Sequence, residues 1–126
     1  MFAKVVTEEV GEGRLRVEAV ALDVESSTLI WILGGERPHI GAVAVAQKRP
    51  SLRDSKRLSC NVSVISLLGH KEEELVFEIA KRCFERLKKD VAVAIGVHVE
   101  KATDEEIDLL VRNCRSVLSK LLDKLA

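Results

Sequence analysis

Three histidines carry most of the chemistry that these 126 residues could do: His39 in RPHIG, His70 in LLGHKEEE and His98 in GVHVEKATDEE. Each stands near a glycine at the end of an apolar run, where a side chain is free to meet a ligand. His70 immediately precedes an expected helix start, whose unpaired N–H groups and positive dipole end favour an anion such as phosphate. His98 lies near the end of a strand, just ahead of the loop to a second helix. Strand ends beside helix starts are where crossover folds place ligands, so His70 and His98 are expected to be neighbours. His39 joins them if its strand lies beside one of theirs. A zinc site is the obvious alternative for three histidines, but none has i, i+4 spacing and no cysteine stands at ligand distance, so no metal is expected. No Ser-His-Asp or Cys-His pairing is visible, and GGERPHIG lacks the fingerprint of a dinucleotide site or P-loop. The chain is not expected to be catalytic by itself.

The elements that must position these residues are legible from hydrophobic periodicity. AKVVTEEV and RLRVEAVALDV flank Gly11-Glu12-Gly13, which reads as a tight hairpin. In the second strand Leu15, Val17 and Ala19 alternate with Arg14, Arg16 and Glu18, and from Ala19 to Leu22 the alternation is lost, which predicts a bulge or two-sided burial. TLIWILGG, GAVAVAQ and LSCNVSVISLL complete five strands, with KRPSLRDSKR as a polar loop before the fifth. From Glu72 to Lys89 the apolar residues recur at three and four, predicting a helix with an acidic start and a basic end, both of which suit its dipole. VAVAIGVHV is an interior strand, and TDEE opens a second amphipathic helix with a Thr103 to Glu106 capping box. The order of five strands, helix, strand, helix predicts an α+β fold. It has a single-layer, mixed, mostly antiparallel six-stranded sheet with both helices on one face, in one domain spanning 1–126.

Read face by face, three strands carry small residues on one side: Ala42, Ala44 and Ala46; Ser59, Asn61 and Ser63; Ala92, Ala94 and Gly96, with His98 continuing the last row. If these faces coincide, the sheet has a low floor for a helix, a second subunit or a flat ligand. The loop from Lys48 to Arg57 holds five basic residues against Asp54 alone and reads as a solvated hairpin tip, or as a clamp for a phosphate or an acidic partner.

Bulk properties set the limits. Lys and Arg balance Asp and Glu at 20 each, and aromatic residues are scarce, so neither the field nor the stacking platforms of a nucleic-acid binder are present. No apolar run approaches the roughly 20 residues that span a bilayer. The N-terminus lacks the pattern of a secretory signal, which makes the cytoplasm the expected compartment. Cys60, Cys83 and Cys114 lack C-x-x-C spacing and are expected as reduced thiols.

Taken together, GGERPHIGAVAVAQ, VSVISLLGHKEEELVFEIAKR and VAVAIGVHVEKATDEEIDLLV resemble the LpdD-like, prenylated-flavin chaperone-like D subunits that accompany UbiD-type hydroxyarylic acid decarboxylases such as gallate decarboxylase. The likeness spans roughly Ile32 to Val111. It places the family's P-H-I-G-A-V turn on Pro38 to Val43, its G-H on Gly69 and His70, and its G-[IV]-H on Gly96, Val97 and His98. Family members often have Asp and then Asn after that histidine, whereas Glu100 and Lys101 stand here. The resemblance implies a non-catalytic accessory role: helping the large decarboxylase subunit to acquire or retain prenylated FMN, with Arg37, His39, Gly41, Gly69, His70, Gly96 and His98 at the prenylated FMN or FMN site. It also implies a likeness in fold to the proteasome assembly chaperones, small α+β proteins that dimerise through sheet and helices, and hence a homodimer or higher homo-oligomer. The competing expectation is a protein-only assembly chaperone or scaffold, in which the small-residue faces are an interface and no small molecule binds.

Overall fold

A computed structural model describes residues 2–67 and 70–126, with the backbone alone for residues 70 and 71. The chain forms β1 (Lys4–Val10), a single 3-10 turn (Gly13–Leu15), β2 (Val17–Asp23), β3 (Ser27–Gly35), β4 (Ala42–Pro50), β5 (Leu58–Ser66), α1 (His70–Leu87), β6 (Asp90–His98) and α2 (Asp104–Leu125). The six strands make one sheet in the order β1-β2-β3-β6-β4-β5. Among the described residues, only the β3–β6 pairing is parallel. The predicted α+β architecture, with its six-stranded mixed sheet and two helices, is what forms.

The register separates the two faces. One row runs Glu8, Ala19, Ile32, Ile95, Ala42 and Ser66 across the sheet, and its neighbour on the other side runs Thr7, Val20, Trp31, Ala94, Val43 and Ile65. Both helices pack on the first face, α1 over β4, β5 and β6 and α2 over β1 and β2. There Val17, Ile30, Ile32, Val93 and Ile95 meet Val76, Ile79, Val117, Leu118 and Leu121 with no exposure. Burying each such side chain contributes about 1.5–3 kcal/mol, which anchors both helices to the sheet. The Thr103 capping box closes reciprocally, the Glu106 N–H donating to the Thr103 hydroxyl at 3.1 Å and the Thr103 N–H to the Glu106 carboxylate at 3.0 Å.

Four local expectations need correction. The alternation of β2 is not broken by a bulge: Val17, Ala19 and Ala21 all face the helices in an unbroken register, and the pattern blurs because the other face is apolar too, through Val20 and Leu22. Arg14 and Leu15 lie in the 3-10 turn rather than in β2. β4 continues to Pro50, so the basic connection shortens to residues 51–57. The three small-residue faces do not coincide: the alanines of β4 lie under α1, whereas Ala92, Ala94, Ser63 and Asn61 lie on the opposite face.

Among the described residues, no helix packs on that opposite face. Across it run Val5, Leu22, Leu29, Trp31, Val45 and Ile65, and Leu29 keeps 51% of its surface in solvent.

Candidate functional site

The site follows from strand order. Because β6 inserts between β3 and β4, the turn of residues 36–41 that joins those two strands has to cross over the end of β6. It does so on the backbone of β6 itself. The His98 carbonyl accepts from the N–H groups of Glu36 at 2.7 Å and Arg37 at 3.3 Å, the Gly96 carbonyl from His39 at 3.4 Å, and the Ile95 carbonyl from Gly41 at 2.8 Å. β5 ends at the same edge, so α1 begins there as well.

Two glycines make the crossing possible. A Cβ on Gly96 would lie 1.7 Å from the His39 carbonyl oxygen, and one on Gly41 would lie 2.4 Å from Oε2 of Glu72. Neither glycine needs unusual dihedrals. Gly96 is needed for space against backbone, whereas a methyl at Gly41 would displace only the end of the Glu72 side chain.

The His39 ring is held at both nitrogens. Nδ1 lies 2.9 Å from the Arg37 carbonyl and Nε2 lies 3.3 Å from Oε1 of Glu72. Both partners are acceptors, and a ring nitrogen that carries a proton donates to the one it faces. The other carboxylate oxygen of Glu72 accepts weakly from the Val97 N–H at 3.4 Å. On the sheet's open face, the Trp31 indole N–H donates to the His39 carbonyl at 3.2 Å. His98 pairs through Nε2 with Glu100 at 3.1 Å, and this hydrogen bond holds the Glu100 carboxyl below the usual carboxylate range. Arg37 approaches the same carboxylate at 3.6 Å. Behind them, Arg14 ties the β6–α2 loop down by donating to the Glu106 carboxylate at 3.1 Å and the Glu100 carbonyl at 3.0 Å. Arg37, Pro38, His39, Glu72 and His98 together line an open pocket of about 500 Å³. That volume suits a small molecule or cofactor.

Residues 11–126 match the family model described as the prenylated flavin chaperone LpdD-like domain. The chain belongs to the LpdD-like prenylated flavin chaperone family. No curated protein matches it. Among solved structures, a chain in the crystal structure of a novel chaperone complex for yeast 20S proteasome assembly is similar, with a TM-score of 0.61 and 21% identity over 99% of this chain and 96% of that one. The likeness is one of fold.

Within this LpdD-like chain, the residues singled out by sequence fall into three groups. Arg37, His39 and His98 come together at one pocket, and the condition set for His39 is met because β4 lies beside β6. Gly41 and Gly96 sit beneath that pocket as spacers. Gly69 lies outside the described residues, and His70 supplies the first backbone position of α1 rather than preceding the helix. Sequence reading missed Glu72 and Trp31. Glu72 was accounted for as an acidic residue suited to the helix start, and nothing local shows that its carboxylate turns toward the neighbouring turn. The available signal was position: two residues into a helix that starts at a strand end beside glycine. No helix among the described residues is long and apolar enough to cross a membrane, and no group of three or more potential metal ligands occurs among them.

Proposed function

We propose that this LpdD-like chain is a non-catalytic accessory subunit that binds prenylated FMN, or FMN itself, at the pocket of Arg37, His39, Glu72 and His98, and supplies it to a UbiD-type decarboxylase. The observation that carries this reading is the convergence of one guanidinium and two imidazoles on a single pocket in a chain of this family. The residues present suit the group. Arg37, on the pocket rim, has the forked donor geometry that recognises phosphate. His98, engaged only through Nε2, keeps Nδ1 for the oxygen and nitrogen edge of a flavin ring, while the His39 ring, held at both nitrogens, and Pro38 offer flat surface beside it. The flavin supplies the decarboxylation chemistry in the large subunit. This chain's own residues contribute binding and orientation.

We also infer that the open sheet face is covered by a second copy of the chain. Six strands about 4.8 Å apart, each contributing about three residues to the face, give on the order of 500 Å² per copy. An apolar patch beyond a few hundred Å² marks an interaction surface. The same face supports a second reading, a protein-only assembly chaperone or scaffold, in which the pocket takes no flavin.

Native mass spectrometry separates the two. The parent, mixed in turn with FMN and prenylated FMN, should hold one flavin per chain, and His39→Ala and His98→Ala should each weaken binding about tenfold, as expected for the loss of one contact worth about 1 kcal/mol. If neither flavin binds and only oligomer peaks appear, the scaffold reading stands.

A further inference from the structure

The sheet has two edges, β1 and β5, and the protein treats them differently. β1 carries Lys4, Glu8 and Glu9, and two lysines of α2 reach its backbone: Lys120 Nζ donates to the Glu9 carbonyl and Lys124 Nζ to the Thr7 carbonyl, both at 3.4 Å. Charges and capped carbonyls are how an edge is kept from pairing with another strand. β5 has neither. Its nine residues, LSCNVSVIS, contain no charge and no proline, its register with β4 is unbroken, and among the described residues no lysine caps the backbone of Leu58 to Ile65.

We propose that β5 is a self-association edge, through which two copies of this chain pair antiparallel about a two-fold axis at Val62.

The register is fixed by hydrogen bonds at both ends of the strand. The Arg57 carbonyl accepts from the Ser51 N–H at 2.8 Å and the Leu67 N–H donates to the Gly41 carbonyl at 2.7 Å. Backbone groups alternate along an antiparallel strand, so odd-numbered residues of β5 bond toward β4 and even-numbered ones point outward. Pairing centred on Val62 therefore sets Val62 against Val62, Cys60 against Val64 and Leu58 against Ser66. The outward N–H and C=O groups of Cys60, Val62 and Val64 then meet their complements, and the axis falls at the middle of Leu58–Ser66.

Side chains and charge choose the same arrangement. Leu58 faces the helix side with 49% of its surface exposed. Across the axis it lies beside Val64 of the second copy, which lines a hollow of about 460 Å³ with Glu73, Glu74 and the half-exposed Phe77. The basic tip, with Arg53, Lys56 and Arg57, adjoins the start of β5, and the acidic first turns of α1 adjoin its end. A two-fold axis exchanges those ends, so each basic tip meets the other copy's acidic helix start. Parallel pairing would set tip against tip. Such charges add little affinity at a surface but do select orientation and partner. The same surface patch serves both copies, as a closed dimer contact requires.

The test is cross-linking under mild oxidation. In a Cys60→Ser background, Val62→Cys places identical thiols opposite each other and should give a covalent dimer on a non-reducing gel. Asn61→Cys in the same background, whose partner position is Ser63, should give little. Adding Leu29→Glu, which charges the open face, should leave the Val62→Cys cross-link intact, so this contact is distinguished from a face-to-face one. As a second readout, Leu58→Glu, at a half-exposed position, should lower the number of copies seen by native mass spectrometry without changing the thermal midpoint. A Val62→Cys chain that cross-links no better than Asn61→Cys, or a Leu58→Glu chain with the parent's oligomer distribution, overturns the proposal; a foreign strand on this edge would show as the first of these.

Discussion

Nε2 of His39 lies 3.3 Å from Oε1 of Glu72, although they are 33 positions apart in sequence and belong to a turn and a helix on either side of the β4–β5 hairpin. The contact exists because the turn crosses the end of β6 at the edge where α1 begins. Its weak point is beneath the turn, where there is no room for a side chain.

Gly96→Ala tests that clearance. The added methyl would collide with the His39 carbonyl, and backbone cannot swing aside as a flexible side chain can. The variant should lose about 1–3 kcal/mol of stability, the usual cost of overpacking, read as a lower midpoint in urea unfolding. Flavin retention should fall along with it. A variant as stable as the parent would mean that the turn does not sit on Gly96.

Trp31 is the only tryptophan in the chain, so its emission reports on one place. Its ring lies 38% exposed on the open face while its N–H holds the His39 carbonyl. Dilution that separates face-to-face copies should shift emission to longer wavelength as the ring becomes wetter. Trp31→Phe keeps an aromatic ring but removes the donor, and should cost about 1 kcal/mol, read by chemical denaturation. Emission that stays unchanged across the dissociation range would place the interface elsewhere.

Asp23 gives a pH dependence with a definite sign. Burial raises its pKa, but hydrogen bonds from Lys89 at 2.6 Å and Thr28 at 2.6 Å outweigh burial and hold the carboxyl below its ordinary value of 3.8. A lowered folded-state pKa stabilises the protein above the unfolded value, and that stability is lost as pH falls through the folded one. Asp23→Asn should therefore be about 2 kcal/mol less stable than the parent at neutral pH, as for a hydrogen bond to a charged group. The difference should shrink as pH drops below 3.8. Paired urea melts across that range check it, and a pH-independent difference would show that the carboxylate's charge is not what matters.

Periodicity carried the fold a long way. The stripe on α1, the capping box of α2 and the alternation in β3 and β4 are local patterns, and local hydrogen bonding and burial produce them. Strand order is different in kind. Nothing in VAVAIGVHV says that it will lie between β3 and β4, because that depends on which pairs of faces bury best across the whole sheet. The alanine row of β4 shows the consequence: its partners in β6 are Val91, Val93 and Ile95, not Ala92 and Ala94, and composition alone could not align them. The site inherits this limit. His39 and His98 stood out because histidine is rare in the chain, whereas Glu72 is one of 20 acidic residues and Trp31 sits in an ordinary apolar run.

The insertion of β6 also sets an order of events in time. Until residues 90–98 have been synthesised and have entered the sheet, β3 and β4 lack the strand that separates them, and the N–H groups of Glu36, His39 and Gly41 have no carbonyls to meet. Pairing across so long a stretch of chain is slow compared with hairpin closure. A growing polypeptide can thus form its β1–β2 hairpin early yet own no pocket until most of its length has been made, so the flavin uptake proposed above would be open only to a nearly finished molecule.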